Sequence, residues 1–275
     1  MKKTIFRILE CLLLVALFIC FVFPFYWMLL TSFKGALEAL LRPPTWWPVE
    51  WVWSNYRAAW EDAGLGRYYL NSVILSVACT ASTMVCSVPA AYAFAKKKFK
   101  LSGLLFGILL LDLMIPPQAY FVGVFLLFSK AKILNTYGSM VLLYAYSGTT
   151  IFFLRNAFKQ VQEEVLEAAR LDGASEFTTL FRVLMPMIKP MTIAVTMLTF
   201  ISRWNSYFWY KVLTTTEKIH TLPMAIQKLM IWDSENLPRW DLTMAGNVLM
   251  MAPLLILYIF AAQKIKEAFI GNGIK

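Results

Sequence analysis

The sequence predicts an all-α polytopic membrane protein with six transmembrane helices. Three observations carry this. Of 275 residues, 59% are hydrophobic and 15% charged, whereas soluble domains carry about 25% charged residues. Six runs match the ~20 residues a helix needs to cross a hydrocarbon core of ~30 Å. They are 8–30, 68–95, 101–129, 137–156, 189–210 and 243–262. Finally, Lys and Arg concentrate in alternate loops. The composition excludes a single soluble domain and a disordered chain. The net charge of +10 could suit a polyanion, but the charges sit in short clusters between apolar runs, as flanks of membrane helices do. Nucleic acid is therefore not an expected partner.

The apolar stretch Ile8–Leu30 exceeds the ~7–15 residues of a cleaved signal core and no small-x-small site follows promptly, so it is expected to stay as the first span. The chain then divides into a first helix with an outer segment (1–66), a five-span core (67–262) and a tail (263–275). With the N-terminus inside, segments 1–7, 96–100, 155–189 and 263–275 hold 15 Lys or Arg in 60 residues, against 10 in 76 for 31–67, 130–136 and 211–242. The positive-inside rule then places both termini in the cytoplasm, N-in and C-in. The cluster Lys96-Lys97-Lys98-Phe99-Lys100 reads as a topology anchor, with an anionic-lipid site as the alternative.

The outer segment carries Pro43, Pro44 and Pro48 with Trp46, Trp47, Trp51, Trp53 and Trp60. Proline discourages a continuous helix there. The tryptophans suit a membrane border or a surface for an external partner. Pro24, Pro89, Pro116-Pro117 and Pro253 fall inside spans, where a bundle or water can re-satisfy the freed backbone. The run 101–129 is expected to be one long bent helix. Cys11, Cys20, Cys79 and Cys86 lie in apolar stretches, and the single histidine, His220, is near none of them. A metal site is not expected.

The loop 157–188 is too charged for lipid, with Glu163, Glu164, Glu167, Arg170, Asp172, Glu176 and Arg182. Phe158, Val161, Val165, Ala168, Ala169 and Asp172 follow helical spacing and predict one amphipathic helix. Gly173 is its expected stop. A second helix is expected with Phe177, Leu180, Phe181 and Leu184 on one stripe, ended by Pro186. Two short helices at a glycine bend make either a docking lever or a solvated loop packed on its own bundle.

Glu167-Ala168-Ala169, Gly173 after three residues, and Val183-Leu184-Met185-Pro186 after nine more resemble the EAA---G---------I-LP signature of ABC importer permeases. Val183 and Met185 depart conservatively, and Gln162 stands where proline is often found. Leu30-Thr31-Ser32-Phe33-Lys34, Asn55-Tyr56, Asn71-Ser72, Ala91-Tyr92-Ala93-Phe94 and Trp204-Asn205 are similar to the carbohydrate-uptake subfamily of the maltose and glycerol-3-phosphate type. The ending Gly271-Asn272-Gly273-Ile274-Lys275 is a shortened variant of that subfamily's tail. The resemblance implies a type-I ABC importer fold and no enzymatic activity. It implies a second homologous permease, two ATPase subunits, an extracytoplasmic solute-binding protein and a sugar substrate. No GxxxxGK[ST] occurs in the chain, so ATP and Mg are expected on the partner ATPase.

On this resemblance Glu167 is the ion-pair contact to the ATPase, Gly173 the bend, and Ala168 and Ala169 close-packing contacts. Glu163, Glu164, Asp172, Arg182 and Pro186 complete the coupling set. Asp112 and Arg203 are charges within spans, which by default raise a functional hypothesis. They either line the pathway, pair with each other, or sit in trapped water and at the interface. Trp204, Tyr207 and Asn205 are further pathway candidates. A permease of the same fold for a non-sugar solute or glycerol-3-phosphate, and a secondary transporter, are the alternatives.

Overall fold

The computed structural model describes residues 2–230 and 237–270, and every regular element in them is helical. The main helices are α1 (Lys2–Thr31), α2 (Leu65–Lys96), α3 (Ser102–Leu110), α4 (Phe121–Lys130), α5 (Tyr137–Leu143) and α6 (Gly148–Gln160). They continue with α7 (Glu163–Leu171), α8 (Glu176–Met187, with a π-helical stretch Thr179–Leu184), α9 (Lys189–Trp204), α10 (Phe208–Leu213), α11 (Leu222–Leu229) and α12 (Trp240–Ile270). The tail 271–275 lies outside the described residues.

Three helices among these are long and apolar enough to cross a membrane unbroken: α1, α2 and the Trp240–Ile259 part of α12. Two bent pairs are long and apolar enough only when joined: α5 with α6, bent by 47°, and α8 with α9, bent by 88°; the six-span count is not reached by unbroken helices among the described residues. The expected single helix over 101–129 is instead broken. α3 ends in a 3₁₀ turn at Leu111–Leu113, Pro116 is extended (φ −65°, ψ 139°), and α4 starts only at Phe121. Consecutive prolines explain this: each lacks an N–H, and each pushes its predecessor out of the helical region. The expected helix over 189–210 likewise ends at Trp204, and α10 is separate. The α5–α6 break leaves carbonyls that α2 satisfies. Thr83 Oγ1 donates to Tyr144 O at 2.5 Å and Ser82 Oγ to Val141 O at 3.3 Å. Ser147 restarts the chain as the N-cap of α6, its hydroxyl accepting from Thr150 N–H at 3.3 Å.

The chain divides into two compact units. One comprises Met1–Tyr69 and Leu222–Pro253. In it the Trp-rich segment folds back on the end of α1. The Phe33 ring lies 4.6 Å from Trp53 and 5.2 Å from both Trp51 and Tyr56. Asn55 Nδ2 donates to Ser32 O (3.0 Å) and Lys34 O (2.8 Å). Gly246 lets α12 approach α11: a Cβ there would stand 3.1 Å from both Ile226 and Leu229.

The other unit comprises Leu70–Thr221 and Leu254–Lys275. Its core joins Val88, Ala91 and Tyr92 of α2 to Ile151, Leu154 and Phe158 of α6, and these to Leu166, Leu180 and Leu184 of the acidic loop. Asn71 ties the start of α2 to the segment before α11. It donates to His220 O (2.9 Å) and Lys218 O (3.2 Å) and accepts from Tyr137 OH (2.7 Å).

Candidate functional site: a clamped acidic loop and a polar cavity

The acidic loop is built differently from its sequence pattern. The expected helix through Phe158 and Asp172 is interrupted, because Val161 and Gln162 are extended (ψ 129° and 145°). Phe158 thus ends α6, and α7 starts afresh at Glu163. Glu163 and Glu164 occupy its first turn and Arg170 its last, which complements the helix dipole. Gly173 adopts φ +71°. Its N–H donates to Arg170 O and that of Ala174 to Ala169 O, both at 3.0 Å, so carbonyls at the end of α7 are satisfied. Ser175 caps α8, its Oγ accepting from Thr178 N–H at 3.2 Å. Pro186 does not end α8. It is the second residue of the last short turn, Met185–Met187, directly after the π-helical stretch, and the chain breaks at Ile188.

The loop is clamped to the end of α2. Lys96, whose side chain is 2% exposed, donates from Nζ to Val161 O at 2.6 Å and to Glu163 Oε1 at 2.7 Å. Lys97 pairs with Glu176 Oε1, and Tyr92 OH donates to Glu176 Oε2 at 2.6 Å. The hydrogen bond from Lys96 holds the Glu163 carboxyl below the usual carboxylate range. Hydrogen bonds from Lys97 and Tyr92 do the same for Glu176. Two lysines of the cluster expected to anchor topology are therefore also the seat of this loop.

The loop's two faces differ. Leu166 and Ala169 are buried against the bundle. Ala169, expected as an outward contact, thus seats the helix instead. Glu164, Glu167, Ala168, Asp172, Gly173, Arg182 and Pro186 are exposed. So are Leu171 (89%) and Phe177 (72%), the latter with its ring 4.5 Å from that of Phe181 at a tilt of 43°. The sequence pattern puts Phe177 on one stripe with Leu180, Phe181 and Leu184, of which Leu180 and Leu184 are buried, and it does not single out Leu171. The available signal was that Leu171 lies off the apolar face of α7.

A second feature is a cavity of about 660 Å³ in the same unit. Its hydroxyls include Ser147, Thr149, Thr150, Thr199, Ser202 and Ser206. Rings also line it: Tyr120 and Trp209 lie 5.6 Å apart, and Tyr144 OH is 2.6 Å from Ser206 Oγ. Arg203 lines it too, with its guanidinium carbon 4.0 Å from the Tyr144 ring centroid. The other pathway candidates lie elsewhere. Trp204 is 1% exposed and packs on Phe200 at 6.0 Å. Asn205 is exposed at the end of α9, and Tyr207 is half-buried; neither lines the cavity. The Asp112 side chain lies outside the described residues. Sequence reading missed Tyr120, Tyr144 and the hydroxyls, because they come from separate helices and share no local pattern.

Residues 83–269, which include both features, match the family described as binding-protein-dependent transport system inner membrane component. The chain belongs to that family. It is a permease component of the cytoplasmic membrane, not an enzyme. The permease is 28% identical over the full length of both chains to the diacetylchitobiose uptake system permease protein DasC of Streptomyces coelicolor. It is 29% identical to the sn-glycerol-3-phosphate transport system permease protein UgpE of Pectobacterium atrosepticum, covering 86% of each chain. Among solved structures, its fold matches a bacterial ABC transporter involved in the import of the acidic polysaccharide alginate. The TM-score is 0.84 at 24% identity, over 95% of this chain and 97% of that one. A bacterial alginate ABC transporter in complex with alginate pentasaccharide-bound periplasmic protein gives a TM-score of 0.69 at 15% identity, over 98% and 97% of the chains. The permease therefore has an ABC-transporter membrane-subunit fold.

Proposed function

We propose that the permease is one half of the membrane pathway of an ATP-driven sugar importer, coupled to a separate ATPase through the acidic loop. The observation that carries the coupling is the outer face of α7 and α8. Leu171 stands almost fully exposed (89%) on a loop that also exposes Glu164, Glu167 and Asp172, and Phe177 (72%) is exposed where the loop meets an apolar groove along α2, α8 and α9. Exposed apolar side chains on a loop rich in exposed charges suit a docking site for a protein with an apolar cleft and a charged rim. The clamp from Lys96 and Lys97 gives the docked loop a stiff link to α2. Both termini and this loop face the cytoplasm, in keeping with the Lys and Arg distribution. ATP and Mg belong to two ATPase subunits.

A second permease subunit and lipid cover the apolar surfaces. The membrane-facing stretch of α1 has none of its side chains buried within the chain. An apolar groove of about 1170 Å³ runs along α2, α8 and α9. An extracytoplasmic binding protein delivers the solute. The sugar assignment is supported by the relative named for diacetylchitobiose uptake; the one named for sn-glycerol-3-phosphate transport supplies the alternative.

The coupling reading is tested by co-purification. A tagged permease is expected to bring its ATPase from solubilised membranes. The double variant Leu171→Asp/Phe177→Asp is expected to lose most of that ATPase while inserting normally and keeping its melting temperature, because neither side chain is in the core. Full retention of the ATPase by this variant would remove the docking face from the scheme. Uptake across a panel of sugars, amino acids and peptides tests the substrate class, and transport restricted to a non-sugar would overturn it.

A further inference from the structure

We propose that the solute carries a negative charge and that Arg203 is the residue that reads it. This rests on the reading of the 660 Å³ cavity as part of a sugar pathway, and it narrows that reading to anionic carbohydrates. The volume is in the usual range for small-molecule sites. Most of the lining is what any sugar requires. Hydroxyls of Ser147, Thr149, Thr199 and Ser202 can exchange hydrogen bonds with sugar hydroxyls, and Tyr120 with Trp209 offers ring faces. A neutral sugar needs nothing more.

Arg203 is surplus to that requirement. It is the one charged residue among those described as lining the cavity. Its guanidinium stacks on Tyr144, and its Nε is buried with no hydrogen-bond partner. No carboxylate among the described residues forms an ion pair with it. Arg203 stands in the last turn of α9, where the helix dipole favours a cation, and the dipole alone leaves its buried Nε without an acceptor. Tyr144 holds the guanidinium by cation–π attraction and accepts one hydrogen bond from it, which leaves further donors of the fork, Nε among them, without a partner. A planar, always-charged fork of donors in a polar cavity matches a carboxylate or a phosphate ester, either of which it can bind through two parallel hydrogen bonds. The solute class is thus a uronate-type or phosphorylated saccharide.

The test uses the intact complex, purified with its ATPase and reconstituted in proteoliposomes with its binding protein. ATPase stimulation and uptake are read with a neutral disaccharide, a digalacturonate and a hexose 6-phosphate. The wild type is expected to respond to one of the two anions and not to the neutral sugar, and the responding anion identifies carboxylate or phosphate. Arg203→Gln is expected to lose about tenfold or more of that response, the scale of one charge-assisted contact. Arg203→Lys should keep part of it. Assembly of each variant is checked by size exclusion. Asp112→Asn is run in parallel: unchanged anion response supports recognition by Arg203, whereas loss equal to Arg203→Gln and not additive with it shows an internal pair and overturns the proposal. A wild type driven by the neutral disaccharide, or an Arg203→Gln complex indistinguishable from it, also overturns the proposal and leaves the sugar-permease reading standing. A complex that transports only amino acids or peptides defeats the sugar reading itself.

Discussion

Gly173 adopts φ +71° at the bend between α7 and α8, a region that costs L-residues roughly 1–2 kcal/mol. Nothing stands within 4 Å of where its Cβ would be, so backbone conformation alone selects glycine. Gly173→Ala should therefore couple almost normally. Gly173→Pro cannot reach positive φ and loses the N–H bonded to Arg170 O. The variant is expected to insert in the membrane, and its complex with the ATPase to hydrolyse ATP without uptake, measured side by side in proteoliposomes; normal uptake would show that the bend transmits nothing. The glycine was legible from sequence, since it follows the last periodic position of a helix. Lys96 and Lys97 were legible only as positive charge. Their pairing with Glu163 and Glu176 joins residues 67 and 79 positions apart, and local pattern carries no such information.

Among elements, the clamp between α2 and the acidic loop makes a signed prediction with pH. Glu163 and Glu176 are held below their usual range by their lysines. In the unbound loop they titrate near the ordinary value of about 4.3. The clamp's contribution is therefore fully present above that value and is lost as pH falls through the lowered folded values. Both pairs are largely exposed on the glutamate side, so the effect is small. A nitroxide on Leu171→Cys should keep constant mobility between about pH 6 and 8 and loosen only below about pH 4. Glu163→Gln/Glu176→Gln should show the loosened spectrum at every pH; a spectrum like the parent's would show that the clamp does not hold the loop. The α11–α12 contact gives a second prediction. Gly246→Val must push into Ile226 and Leu229, both buried, at an overpacking cost of about 1–3 kcal/mol. Its melting temperature in detergent should fall clearly below that of Gly246→Ala, whose single methyl group asks neighbouring side chains to give by only a few tenths of an ångström.

At the scale of the whole molecule, the outward surface is as informative as the core. Phe6–Thr31 and much of α3 and α4 expose apolar side chains, as a chain does whose surroundings are lipid. Composition and hydropathy determined that much without coordinates: a helical membrane protein, the approximate ends of α1, α2 and α12, and the position of the acidic loop. Those features depend on residues close in sequence, through helical periodicity and the free energy of moving apolar runs out of water. The split at Pro116-Pro117 is local too, since each proline lacks an N–H and pushes its predecessor out of the helical region; only the tertiary structure decided which side chains face inward. Tertiary packing also buried Ala169 and left Leu171 and Phe177 outside. It drew Arg203, Tyr144, Tyr120 and Trp209 from α9, the α5–α6 break, the turn before α4 and α10 into one cavity, while Trp204, beside Arg203 in sequence, went into the core. The physical reason is common to all of these: which face of a helix is inside is settled by its neighbours across the bundle, and those neighbours are distant in the chain.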